Sequence, residues 1–216
     1  MDQTRNVAGA AKAPAKKRVN VVWMTELALL TAIVILMAFT PLGYLKIGAE
    51  EITFIVIPVA VGAVVLGPLA GLFLGFVFGI TSLLQPSSMA MFSLVPWQLI
   101  VCCIVPRLFV GLVPAYVYKG LNKVIKKRTI STAIACVLAP LTNTILYVSC
   151  FVLILGQFMA KNYPDVWGIL AGKSFAAGFG IFMGMVSLNA VLEAASCLVI
   201  ATAICNALWH TANKSK

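Results

Sequence analysis

The chain has 216 residues, of which 62% are hydrophobic and only 10% charged, with a mean hydropathy of +1.03. A soluble domain needs far more polar surface than this, so the composition points to a protein built inside a bilayer. The net charge of +10 resides in tails and one short loop and marks topology; it is not a nucleic-acid-binding face.

Residues 1–20 are polar and basic, with Arg5, Lys12, Lys16, Lys17 and Arg18, and read as a disordered tail. A first span is expected at 21–39, too long for a secretory signal. A short loop, Pro41–Glu51, follows. The apolar run 52–84 is long enough for two spans, and Gly67-Pro68 divides it, since proline cannot continue a helix but starts one well. The expected spans are therefore about 52–66 and 68–84. Gln85–Pro96 reads as a loop, and the remaining spans are expected at about 95–118, 130–158 and 174–208. The fold class is thus an all-α integral membrane protein, a six-helix bundle over 21–209 with short tails at 1–20 and 210–216.

Basic residues fix the orientation. Twelve of the sixteen Lys and Arg lie in the two tails and in the segment Lys119, Lys123, Lys126, Lys127, Arg128. The positive-inside rule then places both termini in the cytoplasm. The six cysteines all fall in spans without metal-ligand spacing, and the single His210 lies at the end of the last span. They read as packing residues, and no metal or cofactor is expected. Glycine or alanine recurs every four residues at Gly67, Gly71, Gly75, Gly79 and at Gly172, Ala176, Gly180, Gly184, a pattern for close helix approach. Ala28 and Ala32 form a similar pair on the first span.

Polar groups at depth carry the functional signal, because an ionisable side chain in a membrane must face a cavity or a partner. Arg107, Asn143, Asn189 and Glu193 fall near the midplane of three different spans, and Asn189 and Glu193 share a helix face. Two readings stay open. Arg107 and Glu193 can close into an internal polar clasp. Alternatively the group lines a ligand site, where guanidinium suits a carboxylate and the amides suit hydroxyls or amides. Pro106 and Pro114 favour a kinked fourth helix beside such a cavity. Trp97 and Gln98 lie where that helix emerges, as interfacial anchor or cavity cap.

The segment from Leu42 to Gln85 carries a resemblance: Ile47-Gly48 before Ile52-Thr53-Phe54, then Ile57-Pro58, Leu66-Gly67-Pro68 and the glycine ladder through Phe78-Gly79. Val105-Pro106-Arg107, Leu141-Thr142-Asn143-Thr144 and Asn189 with Glu193 extend it over about 24–208. The ensemble resembles the substrate-binding S components of energy-coupling-factor (ECF) vitamin transporters, and looks closest to the pantothenate-type members.

The resemblance implies a prokaryotic cell-membrane subunit without enzymatic activity that captures a vitamin from outside. Its partners would be a transmembrane coupling protein and two ATPases, besides membrane lipid and no nucleic acid. It implies that Ala28 and Ala32 dock the coupling protein, and that the first external loop, Pro41–Glu51, lids the site. Arg107 would take the carboxylate of pantothenate, with Asn143 and Asn189 on its hydroxyls and amide. Glu193 would hold Arg107 or accept from a ligand hydroxyl, and Trp97 and Gln98 would complete the site. Riboflavin or a pyridoxine-type vitamin is the alternative ligand, riboflavin favouring aromatic walls such as Phe92, Trp97 and Tyr147. A structural membrane protein and a self-sufficient secondary transporter are the alternatives of other classes.

Overall fold

The computed structural model describes residues 21–47, 50–125, 127–162, 164 and 175–214. The expected tail 1–20 and the start of the sixth span at 174 lie outside the described residues, as does Gly172 of the second ladder. The elements run α1 (Val21–Ala38), β1 (Tyr44–Ile47), β2 (Glu50–Thr53), α2 (Val56–Val65), α3 (Pro68–Leu83), α4 (Pro86–Phe92), α5 (Pro96–Val124), α6 (Arg128–Cys150), α7 (Gln157–Asn162), α8 (Phe175–Ser196) and α9 (Thr202–Lys214). A π-helical turn, Phe151–Gly156, joins α6 to α7, and another, Cys197–Ala201, joins α8 to α9.

Four stretches are long and apolar enough to cross a membrane: Val21–Ala38, Pro96–Val124, Arg128–Gly156 and Val186–His210. The pair α3 and α4, bent by 70°, adds a fifth if counted as one span. The second expected span differs. It begins as a strand, and α2 has only 10 residues, about 15 Å of helix against a hydrocarbon core of about 30 Å. Nine consecutive residues of α2, Val56 to Val64, are nevertheless buried. A short helix that is apolar all round belongs inside a bundle, and α2 packs against α1, α3, α5, α6 and α9. Its Ile57 and Val61 join Leu74, Phe78, Val110 and Ala139 in the main core cluster.

The segment expected as an external loop folds as an antiparallel hairpin, with Tyr44 opposite Thr53 and Leu45 opposite Ile52. It is the one sheet among the described residues of a chain expected to be all-α. The loop expected at Gln85–Pro96 contains α4, started by Pro86 in its first turn. The helix α5 runs unbroken through Pro106 and Pro114.

Backbone contact between α3 and α5 sets the frame of the site. A Cβ at Gly71 would strike the carbonyl of Gly111, one at Gly75 the carbonyl of Arg107, and one at Gly79 would crowd Ile104. Gly67 precedes α3 with φ 97°, a conformation that glycine adopts without a Cβ penalty. The first ladder is thus a close helix seam. A Cβ at Gly180 or Gly184 of the second ladder would meet nothing within 4 Å among the described residues.

Candidate functional site

Arg107 stands in the middle of α5, directly after Pro106. Proline has no N–H, so the Cys102 carbonyl four residues back has no backbone donor from position 106. The Arg107 Nη1 donates to that carbonyl at 2.9 Å. The guanidinium carbon lies 5.0 Å from the Tyr147 ring centroid and 5.5 Å from that of Phe78, within cation–π range of both. Three elements thus fix one cation: α5 by a hydrogen bond, α3 and α6 by aromatic faces.

Asn143 on α6, and Asn189 and Glu193 on α8, are all buried. With Arg107 they line a cavity of about 390 Å³ whose wall also includes Tyr44, Thr53, Ser82, Gln85, Ser88, Thr144 and Phe182. That volume falls in the range of about 300–1,000 Å³ typical of small-molecule sites. The Glu193 Oε1 accepts the backbone N–H of Thr53 at 2.7 Å. Glu193 Oε2, Asn143 Oδ1 and Arg107 Nε are buried without a hydrogen-bond partner among the described residues. Opposite charges therefore face one cavity without closing into the clasp that the sequence left open: Glu193 binds the hairpin, and Arg107 a backbone carbonyl.

The hairpin is tied to the cavity at further points. The Tyr44 hydroxyl lies 3.3 Å from that of Ser82; Gln85, also on the wall, donates from Nε2 to the Ala38 carbonyl at the end of α1 at 2.7 Å. Both Tyr44 and Thr53, a cross-strand pair, belong to the cavity wall. These residues carry no sequence signal of their own. Ser82 and Gln85, polar groups at the end of an apolar run, were the nearest to one.

Trp97 and Gln98 do not line this cavity. Trp97 is 77% exposed in the first turn of α5, where proximity to the site in sequence places it on the outside of the helix. Phe92 is also exposed and off the cavity wall, whereas Tyr147 lies on it, against Arg107. Ala28 and Ala32 are exposed on α1, whose only buried residues are Val34 and Ala38. They are not part of the cavity wall.

Comparison with known proteins gives three findings. The profile of the family described as "ECF transporter, substrate-specific component" matches residues 23–205. The pantothenic acid transporter PanT of Lactococcus lactis subsp. cremoris is 27% identical over 178 residues, 76% of this chain and 80% of that protein. A solved structure of ThiT from Listeria monocytogenes superposes with a TM-score of 0.48 at 19% identity, over 82% of this chain and 93% of that one. The family match spans nearly all of the membrane body, including every helix that lines the cavity, and on that ground the chain belongs to the substrate-specific components of ECF transporters.

Proposed function

We propose that this chain captures pantothenate outside a prokaryotic cell and delivers it by docking onto an ATP-driven energy-coupling module. The observation that carries the reading is the cavity itself: Arg107, Asn143, Asn189 and Glu193 share its wall, with a buried donor and two buried acceptors unpaired among the described residues. Buried polar groups are normally hydrogen-bonded, so an unpaired set around one cavity suits a ligand that supplies the missing partners. Pantothenate has a carboxylate for the guanidinium and hydroxyl and amide groups for the rest. The likeness to a pantothenic acid transporter supports the same ligand.

In this reading both termini are cytoplasmic, with six crossings that count α2 as one and the bent α3–α4 pair as one. The coupling protein and two ATPases supply the energy, and Ala28 and Ala32 form the docking face. Trp97 serves as an interfacial anchor, and Gln98 lies off the cavity wall. The test is calorimetric titration of the detergent-purified protein with pantothenate, riboflavin and pyridoxine, repeated on Arg107→Ala. Tight pantothenate binding, lost in a folded Arg107→Ala protein, is the expected result. Riboflavin or pyridoxine binding alone would replace the ligand, and a folded protein that binds none would refute the capture of these vitamins.

A further inference from the structure

Glu193, on the cavity wall, accepts the Thr53 backbone N–H with Oε1, and its Oε2 is buried without a hydrogen-bond partner among the described residues. From this we infer that Glu193 is a positioning residue that ties the captured molecule to the hairpin: Oε1 anchors the hairpin through the Thr53 N–H, and Oε2 accepts a hydroxyl or amide proton from the ligand. The inference rests on the proposed capture of pantothenate and adds a requirement, that the ligand carry a hydrogen-bond donor opposite its acidic end.

Strand geometry makes the Thr53 N–H available. The Phe54 N–H donates to the Gly43 carbonyl at 3.0 Å, so positions 43 and 54 form a hydrogen-bonded pair of the ladder. Hydrogen-bonded and non-hydrogen-bonded pairs alternate along an antiparallel ribbon. The neighbouring pair, Tyr44 opposite Thr53, is therefore non-hydrogen-bonded, and the Thr53 N–H points away from β1. It meets Glu193 Oε1 at 2.7 Å, from a residue 140 positions away in sequence. This is a charge-assisted bond from the end of a two-stranded ribbon to the middle of α8.

The same residue is 6% exposed, and its Oε2 has no partner among the described residues. Arg107 does not supply one, since its Nη1 is given to Cys102 and its Nε is unpaired. A neutral donor on the ligand fits the free oxygen, whereas a second ligand anion would be repelled. Cation and anion in one cavity thus sort the ends of the ligand: acid toward α5, hydroxyl or amide toward α8. A molecule so held reinforces the carboxylate that holds the hairpin, which slows its own escape.

Four variants separate the parts. Thr53→Pro deletes the outward N–H without removing a ladder bond, and its neighbour Ile52 is already in a strand, as a residue before proline prefers. Thr53→Val keeps the N–H and removes only the hydroxyl. Glu193→Gln retains an oxygen for Thr53 but turns the other acceptor into a donor. Pantothenate dissociation is expected to accelerate about 10- to 100-fold in Thr53→Pro, with association little changed, and to accelerate clearly less in Thr53→Val, which loses a wall hydroxyl but keeps the N–H. Glu193→Gln is expected to weaken pantothenate binding by about tenfold or more while hydrogen exchange at the Thr53 amide stays slow. Glu193→Ala, made in case the proline variant fails to fold, is expected to speed that exchange even without ligand. Wild-type dissociation in Thr53→Pro, wild-type affinity in Glu193→Gln, or unchanged Thr53 exchange in Glu193→Ala would each overturn the inference. Failure of the wild-type protein to bind pantothenate would instead refute the capture reading and take this one with it.

Discussion

Pro106 and Arg107 act as a unit. The proline deprives the Cys102 carbonyl of one donor, and the next side chain takes that carbonyl and is fixed by it. Pro106→Ala is therefore expected to restore the helical N–H, raise the thermal stability of the unliganded protein, and loosen Arg107. Pantothenate affinity should fall about 2- to 10-fold, the share of a single hydrogen bond that becomes contested. Titration and thermal unfolding of the same preparation check both signs. Asn143 gives a second test of opposed effects. Its Oδ1 is buried and unpaired, so Asn143→Leu removes a desolvated acceptor that nothing compensates. The unliganded protein is expected to be at least as stable as wild type, while affinity drops about tenfold. A loss of stability with unchanged affinity would assign Asn143 to the packing instead. Both effects follow from the cost of polar groups at depth, which is also why Arg107, Asn143, Asn189 and Glu193 stood out in the sequence. Thr53 entered only within the Ile52-Thr53-Phe54 resemblance and not as a site residue, because its contribution is a backbone N–H that every residue but proline carries.

Two glycine ladders look alike in the sequence and behave differently in the fold. Gly71, Gly75 and Gly79 press α3 onto the backbone of α5, and Gly75 rests on the carbonyl of Arg107 itself. A Cβ at Gly180 or Gly184 would meet nothing within 4 Å among the described residues. Gly75→Ala is expected to destabilise the protein by about 1–3 kcal/mol, the usual penalty of overpacking, and to displace Arg107 enough to weaken ligand binding. Gly180→Ala should change stability by less than about 0.5 kcal/mol. Unfolding midpoints of the two variants in one detergent decide the matter, and equal effects would contradict the seam. Periodicity reveals that small residues share a face but not which neighbour the face meets. The same limit explains the second expected span. Residues 52–66 are apolar throughout, and apolarity alone does not separate a short strand followed by a buried helix from one crossing helix. Ile52 and Thr53 are β-branched and pair with Leu45 and Tyr44, a long-range choice that local pattern does not contain. The starts of α1, α3, α5 and α6 were legible within two residues because Gly67-Pro68, Pro96 and the basic cluster at 119–128 punctuate the chain.

At the scale of the molecule, the proposed capture site and the proposed docking face occupy different surfaces. The cavity lies among α3, α5, α6, α8 and the hairpin. The helix α1 lies at the periphery, packed on α2 and α3 through Val34 and Ala38 and exposing most of its length. Ala28 and Ala32 lie on its exposed side, one turn apart, so a second helix can approach the α1 backbone there without displacing any core side chain. Leucine at both positions adds bulk outside the bundle. It should leave the core clusters and the cavity wall untouched. The double variant Ala28→Leu, Ala32→Leu is accordingly expected to bind pantothenate within about twofold of wild type, since neither residue shares a contact with the site. Its association with the energy-coupling module should nevertheless be lost, and with it ATP-dependent uptake in vesicles. Co-purification of the variant with the module, set beside titration of the isolated subunit, separates the two functions. Parallel loss of binding and association would mean that α1 supports the cavity after all. Retention of both would move the docking face elsewhere on the bundle, and the unfilled faces of Gly180 and Gly184 on α8 would be the next surface to obstruct.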